Sequence, residues 1–330
     1  MGIFDWLFKK RNADKPEMGA VRTRSQMVGL EKPFLHVSTM DYGGLYSLSK
    51  SKRWAISWRD SDPVARRGGH RESGLGEFVL ADLASDVVST HGKMQRPNNG
   101  SVAENGSFSL EDWHFGNTLS GTFSVFDNTG TPIVTKELTA NILDSGISRN
   151  GKLAYCATAN SKTEHSYKIF LFDLETGEEL FCVTPRTGGI ESYAFDEDRK
   201  LLIADVKGVG KFRYDRGGNF VDAENLDKAN LNSSDYSRII RAAEKILNEP
   251  DISQSRAREA LEAVIRARSL GADANPAWTP NALKLQGLAH EVLDELHEAI
   301  QVYEEAIVLN PKIGVKRKLD ALKKRVVGRP

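Results

Sequence analysis

A short apolar run that ends at an aspartate and enters a polar turn recurs four times along this chain. Ile169–Asp173 shows the pattern most clearly, because it leads into a hairpin turn that contains Gly177. The other copies end at Asp82, Asp127 and Asp215, so the aspartates are 45, 46 and 42 residues apart. Self-similarity at a period of this length is the signature of an array of small repeated units.

Further short apolar segments lie before and after each aspartate run between about Phe34 and Asp222. Small polar turns such as Asn150-Gly151 separate them at hairpin spacing, which predicts about four strands in each repeat. A sheet this small must bury both faces against neighbouring sheets, so such units occur in series. The sequence therefore predicts a propeller-like all-β domain over residues 33–225.

The order of the turns also resembles that of the WD-repeat and related propeller families. In those families a strand follows a Ser-x-Asp-Gly turn, and a later strand ends in Trp-Asp before a Thr-Gly turn. Ser148–Gly151 and Phe172–Gly177 are similar to these two motifs. The families' tryptophan is replaced here by Ala81, Phe126, Phe172 and Tyr214. The resemblance implies a propeller-like β domain and leaves the subfamily open.

The number of repeats leaves two architectures open. Four blades are at the low end of what closed propellers use, so the domain is either a small ring or an incomplete, curved array. Exposed sheet edges invite pairing with another chain. An incomplete array would therefore predict covered edges, a protein partner or a homo-oligomer.

The apolar period becomes helical after Asp222, which predicts an all-α domain over residues 226–330. Asp235 is suited to cap a helix over Tyr236–Asn248, which Pro250 ends. A second helix is expected from Ser253 or Ser255 to about Leu270. Three more are expected at 281–293, 296–309 and 315–327.

Residues 280–311 resemble one tetratricopeptide repeat. Gly287 takes the place of the small residue that allows two helices to cross closely, and Pro311 ends the repeat. Three further residues match the spacing in the second helix: Ala299, Tyr303 and Ala306. The resemblance implies a partner-binding groove whose lining residues would be Asn281, Lys284, Leu288 and Glu291. Lys284 fits the family's carboxylate clamp, whereas Leu288 lies where the clamp has asparagine.

Residues 1–32 are expected to form an amphipathic N-terminal segment followed by a flexible tether. The segment is apolar at Phe4, Trp6, Leu7 and Phe8 and is followed at once by basic residues 9–11. Such a segment can lie in a membrane interface, dock in a groove of a partner or pack on its own protein.

Two basic regions are candidates for anion binding. The first is a glycine-rich insertion at 59–76 that carries Arg66, Arg67, His70 and Arg71, and arginine pairs well with phosphate or carboxylate groups. The second is the final helix, at 315–327, which is rich in lysine and arginine. In both regions a solvated surface is the competing interpretation.

The remaining composition argues against several functions. The chain has 45 basic and 45 acidic residues, so no overall field draws it to nucleic acid. Its two cysteines, Cys156 and Cys182, lie in apolar runs and are expected to be buried free thiols. The seven histidines show no metal-ligand spacing. We therefore expect no catalytic residues, no metal and no cofactor.

Together the patterns favour a β + α multidomain protein, with a small or incomplete propeller-like all-β domain followed by an all-α tetratricopeptide-like domain. We expect a non-catalytic protein–protein interaction scaffold in a cytoplasmic multiprotein assembly, in contact with a membrane surface if the N-terminal segment is an anchor. One alternative is an accessory protein that binds anions, nucleic acid or a membrane surface. Another is a hydrolase or lyase that works in the propeller channel.

Overall fold

A computed structural model describes residues 27–61, 72–115 and 119–327. Strands β1–β6 span Val28–Glu31, Phe34–Val37, Tyr42–Leu48, Trp54–Arg59, Gly76–Asp82 and Val87–Met94. Strands β7–β12 span Pro97–Val102, Phe108–Asp112, Gly121–Phe126, Pro132–Leu138, Ile142–Ile147 and Leu153–Thr158. Strands β13–β17 span Ile169–Asp173, Glu179–Val183, Ile190–Asp196, Leu201–Val206 and Gly210–Tyr214. Helices α1–α6 span Ala223–Leu231, Tyr236–Leu247, Gln254–Ser269, Thr279–Val292, Leu296–Leu309 and Lys316–Val327.

The strands form four antiparallel sheets in sequence order, which we call blades 1 to 4. Blade 1 contains β3–β6 and is extended by the β1–β2 hairpin, and blades 2 and 3 contain β7–β10 and β11–β14. Blade 4 contains only β15–β17. The sheets form a curled half-barrel, and the six helices follow it. This arrangement confirms the predicted order of a β domain and an α domain.

Central strands are continuously apolar because both of their faces are buried. In β13, Phe170 and Phe172 pack with Phe123 of blade 2. The alternate residues Ile169 and Leu171 pack towards blade 4. Among the described residues, the apolar clusters join blade 1 to 2, 2 to 3 and 3 to 4, and none joins blade 4 to blade 1. The array is therefore curved and open.

The repeated aspartates have the local role that the turns predict. Each Oδ1 accepts the backbone N–H of the residue two positions later, at 3.0 Å for Asp82, 2.8 Å for Asp127, 2.9 Å for Asp173 and 2.9 Å for Asp215. Hydrogen bonds from Asn219 hold the pKa of the Asp215 carboxyl below its usual range. The aspartates are therefore turn-forming residues, since ionised carboxylates accept these N–H groups well.

The structure corrects the sequence prediction at the N-terminal end of the β domain. Val28–Glu31 falls in the predicted tether but forms β1, so ordered structure begins before residue 33. The β1–β2 hairpin lies over the outer face of blade 1, where it buries Ala55, Val79 and Ala81. The carboxylate of Asp86 accepts the backbone N–H groups at the start of β1, at 3.0 and 2.9 Å. The hairpin thus covers the face that has no neighbouring blade.

Blade 4 also differs from prediction. About four strands are predicted in each repeat, but in place of a fourth strand only an isolated bridge joins Phe220 to Tyr214. The strand is cut short because the chain turns at Asp222 into α1, a helix that the sequence did not predict. Asp222 accepts the backbone N–H of Arg213 at 2.8 Å and also pairs with its guanidinium group.

The cysteine prediction holds at one position and fails at the other. Cys156 lies on the central strand β12 and is buried, and burial raises the pKa of its thiol. Cys182 is exposed, because β14 is the outer strand of blade 3 and its alternate residues face solvent. Only the first cysteine is therefore an inert core thiol.

Consecutive helices pack against one another, and their predicted boundaries are close to those observed. Asp235 caps α2 by accepting the Ser237 N–H at 2.8 Å, and Ser253 caps α3. The close crossing expected at Gly287 is present, because a Cβ added there would lie 2.2 Å from Cε1 of Tyr303. Glycine therefore allows α4 and α5 to approach each other.

Candidate protein-interaction face

Helix α4 is buried on most of its surface and leaves one stripe open. The buried positions include Ala282, Leu283, Leu285, Gln286, Gly287 and Ala289. The predicted groove residues Asn281, Lys284, Leu288 and Glu291 are all partly exposed. Their spacing of three, four and three residues places them on one face of a helix. The structure thus brings the four predicted residues together on one accessible stripe.

The residues of this stripe differ in how firmly they are held. Glu291 is engaged, because its Oε1 accepts from Tyr303 Oη and, at 3.2 Å, from Lys318 Nζ. Leu288 packs partly against the helical core. Within the described ranges, Lys284 and Asn281 make no ion pair or side-chain hydrogen bond. The open part of the stripe therefore offers a half-buried apolar side chain flanked by a cation and an amide.

The basic residues of α6 are partly neutralised by the preceding helices. Lys318 pairs with Glu291, Lys323 with Glu304 at 2.6 Å, and Arg325 with Asp294 at 3.3 Å. These pairs hold α6 against α4 and α5 and reduce the positive field of the helix. The structure thus gives these three cations an intramolecular role.

Two groups of predicted site residues lie outside the described residues. The first is the N-terminal anchor at Phe4, Trp6, Leu7 and Phe8. The second is the anion-binding loop at Arg66, Arg67, His70 and Arg71. Both remain predictions of the sequence.

A carboxyl network on the inner side of the blades was not predicted. Glu111 of β8 is 2% exposed, and its oxygens accept from Ser145 Oγ at 2.7 Å, Trp113 Nε1 at 2.9 Å and Asn99 Nδ2 at 3.0 Å. Each carboxylate oxygen of Glu111 is thus occupied by donors from blades 2 and 3. No sequence signal identified this network, because its members come from three strands and one loop position.

Asp144 of β11 lies beside this network. Its Oδ2 accepts from Tyr155 Oη at 3.0 Å. Burial raises the pKa of the Asp144 carboxyl, an effect that the hydrogen bond from Tyr155 opposes and the nearby Glu111 carboxylate reinforces. Asp144 can therefore carry a proton more readily than an ordinary aspartate. Its partners are the hydroxyl of Tyr155 in the same blade and backbone groups that include Tyr193 of blade 4, so the carboxyl joins strands within and between blades.

The described part of the chain contains no cluster of three histidine, cysteine, aspartate or glutamate residues that could hold a metal. Within the same ranges, none of the helices has the length and apolar character needed to cross a bilayer.

Comparisons with known proteins add little to this geometry. No family model and no curated protein sequence matches the chain. Among the solved structures that match, one described as the crystal structure of the mitotic checkpoint complex has a TM-score of 0.37 and 10% identity to this chain. The match covers 57% of this chain and spans 58% of the length of the other chain. A likeness at this level identifies neither the family nor the function.

Proposed function

We propose that this protein is a non-catalytic scaffold that binds other proteins, with the open stripe of α4 as one binding surface. The observation that carries the proposal is the difference in exposure between the faces of this helix. Its other faces are buried, whereas the stripe keeps Lys284 and Leu288 accessible. A groove between helices that presents an apolar anchor with polar neighbours is suited to bind a peptide or a helix.

The chemistry of the described residues also favours binding over catalysis. The repeated aspartates are bound to their own turns. The buried carboxylate of Glu111 accepts from Ser145 of the neighbouring blade, and the half-buried Asp144 accepts from Tyr155 of its own blade. A hydrolase would need a nucleophile and a base within hydrogen-bond reach at an accessible site. Multiprotein assembly in the cytoplasm is the setting that we propose for the scaffold.

Affinity purification of the full chain from its natural source tests this proposal. The Leu288→Arg variant should lose specific partners, because the half-buried apolar side chain that would anchor a partner is replaced by a bulky, charged group. Gln301→Arg is the matched control, since it adds the same group at an exposed position of α5. Thermal unfolding of both variants shows whether they are folded. Equal recovery of the same partners by wild type and Leu288→Arg would contradict the proposed surface.

A further inference from the structure

A cleft of about 610 Å³ lies where the fourth blade meets the first two helices. One wall is the connection between β14 and β15, which includes Arg186 and two glycines. The opposite wall is formed by α1 and α2, with Arg238, Arg241 and Lys245 on one face of α2. The cleft therefore combines residues from the β region and the helical region.

The cations of the cleft are only partly balanced. Lys245 Nζ is 2.8 Å from Oδ1 of Asp227, the one carboxylate among the cleft-lining residues that the structure describes. Arg186, Arg238 and Arg241 form no ion pair with any described carboxylate. The cleft thus contains three guanidinium groups, and the one carboxylate among its lining residues is already paired with Lys245.

Each of the three arginines is positioned by a separate contact. Arg186 lies over the ring of Phe220, with Cζ 5.6 Å from the centroid. Arg241 lies over the ring of Trp278 at 5.2 Å. A Cβ added at Gly189 would lie 3.4 Å from Nη2 of Arg238, so this group lies against the backbone of the facing loop. Cation–π contacts restrict a guanidinium group without neutralising its charge.

We propose that this cleft binds an extended acidic segment of a partner protein. Arg238 and Arg241 are about 4.5 Å apart along α2, given a rise of about 1.5 Å per residue, and Lys245 is already paired with Asp227. In an extended peptide, side chains on one face recur about every 6.6 Å, so carboxylates at alternate residues can each reach one of these two long arginine side chains. Guanidinium groups bind carboxylates through short, charge-assisted hydrogen bonds.

The aromatic residues favour a peptide over nucleic acid. Binding of single strands relies on aromatic rings on which bases stack. Here Phe220 and Trp278 lie under Arg186 and Arg241, and Phe220 also packs against Tyr214 at 5.2 Å. The cleft therefore presents charge rather than open ring faces. This inference names a class of partner and so rests in part on the proposed scaffold function, but it uses a different surface from the α4 stripe.

The test uses a fluorescent peptide in which glutamate alternates with serine. Fluorescence anisotropy measures its binding to the purified full chain. The peptide should bind, and its glutamine counterpart should not. Arg238→Gln and Arg241→Gln should each weaken binding about tenfold or more, since each removes charge-assisted hydrogen bonds. The Asp227→Asn and Lys245→Gln double variant is the matched control, because it removes a neutral pair on the same wall and should leave affinity nearly unchanged.

Several results would overturn the inference. One is equal binding of the glutamine peptide, and another is unchanged affinity in both arginine variants. Displacement of the peptide by single-stranded RNA at lower concentration would instead assign the cleft to nucleic acid. Loss of self-association in the arginine variants would assign it to a second copy of the chain. Partner capture that depends on Leu288 but not on these arginines would leave the scaffold standing while removing the cleft from it.

Discussion

Replacement of Gly287 by alanine should destabilise the helical region, although the same change in most helices is favourable. Alanine has a helix propensity about 1 kcal/mol better than that of glycine. At this position the new Cβ would lie 2.2 Å from Cε1 and 2.5 Å from Cδ1 of Tyr303. Non-bonded carbon atoms at rest lie about 3.5–4.0 Å apart, so either the ring or the helix must move.

The ring of Tyr303 has little freedom to move. It is 0% exposed, and its hydroxyl donates to Glu291, which also binds Lys318. Overpacking of a core costs about 1–3 kcal/mol, and weakening the bond to the charged Glu291 adds about 1.5–3 kcal/mol if the ring swings away. After the gain in helix propensity, we expect a net loss of about 2 kcal/mol in the free energy of unfolding.

Urea unfolding followed by the helical circular dichroism signal measures this loss. Gly29→Ala is the matched control, because a Cβ at that strand position would have no atom within 4 Å. In a Tyr303→Leu background the added methyl group should cost less, and the coupling between the two sites should be about 1–3 kcal/mol. Wild-type or greater stability of Gly287→Ala would refute the argument that close packing outweighs propensity here.

Three further changes probe the β domain by the same urea unfolding measurement. Leu35→Ala in the β1–β2 hairpin should lower the free energy of unfolding by about 2–5 kcal/mol, since Leu35 is 0% exposed. Leu30→Ala, at a 43% exposed position, should lower it by less than about 1 kcal/mol. Equal losses would contradict the covering role of the hairpin. Asp127→Ala should lower the free energy of unfolding by about 1 kcal/mol, and Asp127→Asn should lower it less, because asparagine keeps a hydrogen-bond acceptor for the turn. Equal losses would indicate that the charge of the carboxylate matters more than its hydrogen bonds. Burial raises the pKa of Asp144, so its contribution to stability is present at low pH and is lost as pH rises through its folded pKa. Asp144→Asn should therefore gain stability relative to wild type as the pH rises above about 4, the pKa of an unfolded aspartate, and a pH-independent difference would contradict this.

Local chemistry made much of the fold predictable. The repeated turns depend on a carboxylate and nearby N–H groups, as at Asp127, which accepts from Thr129 and Thr131, and this interaction is complete within a few residues. Helix boundaries depend on similarly local groups, such as the caps at Asp235 and Ser253. These elements could be identified because their determinants are adjacent in the sequence.

Elements that depend on distant partners were missed. Pro97–Val102 contains a proline, two asparagines and a glycine, which favour a turn, but pairing with β8 makes it strand β7. The cationic cleft combines Arg186 with Arg238 and Arg241, which are more than fifty residues away and share no motif with it. The tetratricopeptide resemblance gave the open stripe of α4, and the family assignment itself stays a prediction.

The two ends of the open array of blades explain why the β domain need not form a closed ring or bind a partner to be stable. At blade 1, the outer face carries Ala55, Val79 and Ala81, and the chain's own β1–β2 hairpin covers these apolar residues.

At blade 4, the outward face carries charged side chains on both β16 and β17. Lys211 lies opposite Asp205, with Nζ 3.7 Å from Oδ2, and Arg213 lies opposite Ile203. Charged side chains on a terminal sheet oppose association with a further strand or sheet. The blade 1 end of the array is thus covered by the chain itself, and the blade 4 end is solvated. The open ends of the array therefore provide no argument for a protein partner. Among the described residues, the α4 stripe and the cationic cleft are the two surfaces that we propose for binding.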